Sequence, residues 1–112
     1  MKTQKFCLAL DLKEDPNLIA EYKAYHQNVW PEIIKSIKDS GITLMNIYCV
    51  GNRLFMVIEA TEDFSFEKKA SMDTNNSKVA VWEELMLRFQ LTLPFAESGE
   101  KWMVMENIFE LK

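Results

Sequence analysis

The stretch EYKAYHQNVWPEI, residues 21–33, holds the only histidine of the chain. An unperturbed imidazole titrates at about pH 6.5, so near neutrality His26 can both give and take a proton. Tyr22 precedes it by four residues, which places phenol and imidazole on the same face of a helix. Trp30 follows by four, but Pro31 breaks the pattern there and leaves the direction of the indole open. A phenol, an imidazole and an indole on one surface give a pocket an apolar wall and two polar handles. Sugars bind such surfaces by stacking a C–H face on a ring and hydrogen-bonding their hydroxyls. Spacing alone also allows a plainer reading, and favours it: His26 packs between helix and sheet with Tyr22 as its partner.

Other reactive constellations are missing from the sequence. There is no G-x-S-x-G elbow for a serine nucleophile. One histidine and two cysteines without a C-x-x-C pair do not make a multi-ligand metal site. Three glycines leave no glycine-rich phosphate loop. Most acidic residues read as solvated faces, and Asp73 is expected to cap the helix that follows it. Met45, Met56, Met103 and Met105 read as adaptable core. On pattern alone Trp82 also reads as core. Cys7 and Cys49 lie in apolar, alternating runs and are expected to be buried thiols in a reducing compartment.

These groups need a scaffold, and the chain supplies the signals for one. KFCLALDL (5–12) alternates as a strand does. Asp15 and Pro16 start a helix as cap and first helical residue. Ile19, Tyr22, His26, Val29, Ile33 and Ile37 recur at steps of three and four on one helical face. Pro31 must kink or split that helix, and Gly41 suits a positive-φ cap. ITLMNIYCV (42–50) and RLFMVIEA (53–60) flank Gly51-Asn52, a tight hairpin. Helices are expected over 62–73 and 75–90, the second with Val79, Trp82, Leu85, Met86 and Phe89 on one side. LPFAESGE reads as a loop, and 101–111 as a last strand.

The order β-α-β-β-α-β is the ferredoxin-like, split-βαβ arrangement of an α+β protein, with helices on one face of an antiparallel sheet. The strands are apolar on both faces: Leu54, Met56 and Ile58 point one way, Phe55 and Val57 the other. A sheet apolar on both sides calls for a second sheet against it, so a homodimer is expected.

The whole chain, 1–112, fits one domain, with 48% apolar and 27% charged residues. A net charge of −4 argues against nucleic acid or an anionic membrane as a partner. The N-terminus reads as a strand, not a signal peptide, and no run approaches the roughly 18 apolar residues of a membrane span. A cytoplasmic protein is expected.

The segment carrying Tyr22, His26, Trp30, Pro31 and Glu32 resembles the L-rhamnose mutarotase family, whose characteristic stretch reads Tyr-x-x-x-His, a short gap, then Trp-Pro-Glu. The likeness continues through SGITLMNIY, RLFMVIEA, ASMD, VWEELMLRFQ and MENIFEL, and so covers nearly the whole chain. The resemblance implies a dimeric α/β barrel and a cofactor-free, metal-free aldose 1-epimerase that interconverts the α and β anomers of a small sugar. It puts the proton donor on His26, a sugar-binding role on Tyr22, and part of the sugar wall on Trp82. Two positions depart from the family: Val81 replaces the first of a Trp-Trp pair, and Met45 replaces a sugar-contacting tyrosine. Substrate-binding roles are carried over to Val81 and Met45 on that basis. The departures make L-rhamnose less secure than the chemistry, and leave room for another 6-deoxy sugar such as L-fucose. Two other readings stay open: a non-catalytic sugar-binding or sensory relative, and a small oxygenase on the same dimeric ferredoxin-like scaffold.

Overall fold

A computed structural model describes residues 2–112. The elements are β1 (Thr3–Leu12), α1 (Pro16–Tyr25), α2 (Pro31–Asp39), β2 (Ile42–Val50), β3 (Arg53–Thr61), α3 (Phe66–Thr74), α4 (Ser77–Leu87), β4 (Gln90–Leu91) and β5 (Met103–Val104). The sheet is antiparallel with order β2-β3-β1-β4, and β5 joins β1 on the same edge as β4. This is the expected α+β, ferredoxin-like arrangement.

The helix starts follow local chemistry. Asp15 Oδ1 accepts from the backbone N–H of Asn17 at 2.9 Å and of Leu18 at 3.4 Å, and Pro16 follows it as the first residue of α1. Pro31 splits the long helical pattern rather than kinking it. Lacking an N–H and clashing with the preceding turn, it begins α2 instead of continuing α1. Ser65 caps α3, where its hydroxyl accepts from Lys68 N–H at 3.1 Å.

The expected cap at Asp73 is wrong. The third helix starts later than 62 and runs on to Thr74, so Asp73 lies inside it, paired with Lys69 Nζ at 2.7 Å. Asn76 caps α4 instead, accepting from Lys78 and Val79 N–H at 3.0 and 3.3 Å. The helix expected to reach residue 90 stops at Leu87, because Gln90 and Leu91 turn onto the sheet beside Leu12 and Asp11.

Gly41 and Gly51 both carry positive φ, 102° and 59°. At Gly41 a Cβ would also lie 2.9 Å from Thr61 Oγ1, so conformation and space both demand glycine. Gly51 turns the β2–β3 hairpin.

Leu8, Leu10 and Leu12 of β1 and Leu54 and Ile58 of β3 are buried on the helix-covered face. Leu12 and Leu54 pack in one cluster with Tyr22, Ile33, Val79, Trp82, Met86 and Phe89. The opposite face stays open, with Tyr48 at 57% and Val50 at 78% exposure. Across it Tyr48 meets Phe55 at 6.4 Å, and Arg53 grips Asp11 through two hydrogen bonds of 2.7 and 3.1 Å. Cys49 is exposed, contrary to the buried thiol expected; Cys7 is half-buried, and both are free.

The last strand is far shorter than the 101–111 expected. β4 pairs Leu91 with Asp11, and β5 pairs Met103 with Ala9, so both halves lie on one line along β1. Residues 92–102 leave that line and return to it. Past Met105, whose N–H donates to Cys7 O at 2.7 Å, the chain builds no ladder. Ile108, Phe109 and Leu111 are 88, 77 and 85% exposed. No surface of the same chain covers them, so neither backbone pairing nor burial holds a strand there.

Candidate active site

A cavity of about 1190 Å³ opens between the helices and the covered face of the sheet. Tyr22, His26, Met45 and Trp82 all line it, although they come from three different elements. Val81 does not line it. One residue before Trp82 on α4 is about 100° around the helix, and Val81 is accordingly 54% exposed.

His26 is the residue that ends α1. Its Nδ1 lies 2.8 Å from the Tyr22 carbonyl oxygen, one of the terminal carbonyls a helix leaves unpaired. A carbonyl can only accept, so Nδ1 donates and carries the proton. Nε2 is then the ring nitrogen free to exchange a proton with a ligand.

Aromatic rings fix the imidazole from two sides. The Tyr22 ring lies 4.5 Å from it at 35°, and Trp82 meets it edge-on at 5.7 Å and 69°. Trp82 is in turn held by Trp30 at 5.0 Å and Tyr25 at 6.4 Å. Trp82 is therefore both core and cavity wall, two roles that the pattern had set against each other. Trp30 supports the wall rather than forming it.

Burial pushes the Tyr22 phenol up to about 12; a side-chain hydrogen bond from Gln90 works against the rise, and the charges of Glu83 and Cys49 add to it. The phenol is thus neutral throughout the physiological range and can both donate and accept. Gln90 Oε1 is buried and has no hydrogen-bond partner among the described residues. The amide lines the cavity beside Tyr22.

Several lining residues escaped the sequence reading. The helix expected over 75–90 takes in Gln90, and the strand expected over 101–111 takes in Lys101 and Trp102. Lys101 Nζ donates to Glu83 Oε2 at 2.8 Å and so ties the 92–102 excursion to α4. Trp102 packs against the Leu12–Leu54 cluster and against a second one of Leu8, Ile42, Ile58, Ala60 and Phe64. No periodic signal marks a strand interrupted halfway, so nothing in the pattern brought these residues to His26. Among the described residues no group of three or more His, Cys, Asp or Glu is placed to hold a metal ion.

A histidine, a buried phenol and an indole thus line one cavity of a ferredoxin-like α+β domain. The family described as L-rhamnose mutarotase matches residues 5–111. An L-fucose mutarotase of Xanthomonas campestris pv. campestris is 40% identical over 113 residues, covering 99% of this chain and 90% of that protein. The chain belongs to the L-rhamnose mutarotase family, and so to a class of isomerases. In fold, it is similar to an L-rhamnose mutarotase from Formosa agariphila, with a TM-score of 0.71, 20% identity, and coverage of 97% of this chain and 99% of that one. It is also similar to a dimeric ferredoxin-like protein from an uncultured marine organism, with a TM-score of 0.55, 13% identity, and coverage of 100% and 95%.

Proposed function

We propose that this protein interconverts the α and β anomers of a 6-deoxy aldose, L-fucose or L-rhamnose, without a cofactor. The observation that carries the reading is the Nδ1 bond of His26 to the Tyr22 carbonyl, which leaves Nε2 for the substrate. Opening the ring requires a proton on the ring oxygen and the loss of one from the anomeric hydroxyl. In the protonated state the imidazole delivers the first. The carbonyl formed then rotates, and the ring recloses on the other face. Tyr22, held neutral, hydrogen-bonds a sugar hydroxyl, and Trp82 covers a C–H face. Met45, Ile47 and Met56 line the same cavity and give an apolar seat to the C6 methyl that distinguishes 6-deoxy sugars.

The relative named as an L-fucose mutarotase supports the substrate class. Anomer-exchange NMR on L-fucose and L-rhamnose tests it: exchange is expected to accelerate with the wild-type protein and to collapse in His26→Ala. A folded protein that accelerates exchange of no aldose would sink the proposal. Bound sugar without acceleration would instead identify a sensory relative.

The same reading makes the active form a homodimer. The open sheet face around Tyr48, Val50 and Phe55, and the uncovered Ile108, Phe109 and Leu111, together form apolar surface that a second copy would bury.

A further inference from the structure

Mutarotation moves two protons, and His26 accounts for one of the two groups required. The Tyr22 phenol is held neutral by burial, which removes it as a base near pH 7. The other ionisable groups on the cavity wall are Lys38, Lys69, Asp73, Glu83 and Lys101. The lysines are cations, and both oxygens of Asp73 are taken. Lys69 Nζ sits 2.7 Å from Oδ2, and the Ser36 hydroxyl donates to Oδ1 at 3.5 Å.

Glu83 differs. Lys101 Nζ donates to its Oε2 at 2.8 Å, and no hydrogen bond from the described residues reaches Oε1. Glu83 follows Trp82, whose indole meets the His26 ring at 5.7 Å. Glu83, Tyr22 and His26 all belong to the wall of the one cavity. The carboxylate comes from α4 and the imidazole from the end of α1, on separate elements that can flank a bound ring.

On the reading that the cavity serves a mutarotase, we propose that Glu83 is the catalytic base that works with His26. Glu83 Oε1 takes the proton of the anomeric hydroxyl while the imidazolium N–H gives its proton to the ring oxygen. The bond from the anomeric carbon to the ring oxygen breaks, and its electron pair stays on that oxygen. The pair released from the anomeric O–H forms the carbonyl. The products are an open-chain aldehyde, a neutral imidazole and a carboxylic acid. Rotation about the C1–C2 bond presents the other face of the aldehyde. Reversal of both transfers then closes the ring and restores both groups. Lys101 holds the carboxylate in place, which gives the 92–102 excursion a part in the chemistry.

Anomer-exchange NMR with L-fucose and L-rhamnose decides the matter. Glu83→Gln is expected to lower kcat by about 100-fold or more, with KM and Tm little changed, and Glu83→Asp to recover part of the loss. Lys101 from the excursion pairs with Glu83, and Tyr22 and His26 from α1 share the cavity with it. Lys38 of α2 and the Lys69–Asp73 pair of α3 lie on the same cavity. A base must be ionised, so kcat/KM should rise with pH along an acid limb that Glu83→Gln removes. Lys101→Met should cost far less in kcat than Glu83→Gln, because the carboxylate itself remains. A Glu83 that only anchors the excursion predicts equal losses in Glu83→Gln and Lys101→Met, carried by KM or Tm. That result overturns the assignment, as does a Glu83→Gln kcat within about 3-fold of wild type. In both cases an active wild-type protein leaves the mutarotase reading standing. A wild-type protein inert toward every aldose overturns that reading and the base with it.

Discussion

His26 donates through Nδ1 to the main-chain carbonyl of Tyr22, four residues earlier and 2.8 Å away. The contact caps a helix end and selects a tautomer at once. Replacing His26 by Asn keeps a side chain able to bond the carbonyl but removes the titrating ring. His26→Asn is therefore expected to keep Tm within a few degrees of wild type while losing about 100-fold or more in exchange rate. Thermal melts beside exchange NMR check both halves.

Tyr22 makes stability depend on alkaline pH. Its folded value, about 12, lies above the ordinary 10.0, so the folded protein keeps a proton that the unfolded chain gives up. The stabilisation is complete below pH 10 and is lost as pH rises from 10 towards 12, by about 2–3 kcal/mol. The difference from Tyr22→Phe isolates the effect. The variant should lose less stability across that range in urea melts at stepped pH; parallel curves would contradict the expectation.

The Gln90 amide oxygen is buried without a partner, a condition that costs about 1–3 kcal/mol. Gln90→Met keeps the volume and removes that oxygen. The free protein should melt at or above the wild-type temperature despite the lost bond to Tyr22. Sugar binding should weaken several-fold if a substrate hydroxyl satisfies Gln90, and titration by NMR reads the change.

Gly41→Ala should destabilise by about 1–3 kcal/mol, since φ is 102° and the new Cβ would meet Thr61 Oγ1 at 2.9 Å. Gly51→Ala meets no atom within 4 Å and should cost less. Denaturant midpoints of the two variants, compared directly, test the order.

If a second copy covers the open sheet face, a charge there should prevent it. Tyr48→Glu, or a chain ending at Met105, is expected to run as a monomer in light scattering where the full chain runs as a dimer. A full chain that is monomeric at 100-fold higher concentration would remove the homodimer from the proposal.

Where a local rule and the tertiary context agreed, the sequence was readable. Asp15-Pro16 starts a helix, Gly51-Asn52 turns a hairpin and Pro31 interrupts a helix, because each acts through its own backbone. Tyr22, His26, Met45 and Trp82 line one cavity, whereas Val81 lies on the outside of α4. Three failures have one cause, a decision made elsewhere in the fold. Asp73 is as good a cap residue as Asn76, but α3 outlasts it. Residues 101–111 read as a last strand, yet only Met103 and Val104 find a ladder partner on β1. Gln90 keeps the helical period of α4 but pairs with Leu12. A capping or periodicity rule carries no information about which backbone stands opposite.

Leu91 and Met103 flank the excursion, yet their partners on β1, Asp11 and Ala9, are separated only by Leu10. Register on both sides of the gap is fixed by pairing, not by what lies between. Residues 94–100 can therefore change in length with little effect on the sheet, while buried Leu93 at one end and Lys101 and Trp102 at the other keep their places. The fold thus separates a frame held by strand pairing from a connection whose length the pairing does not dictate.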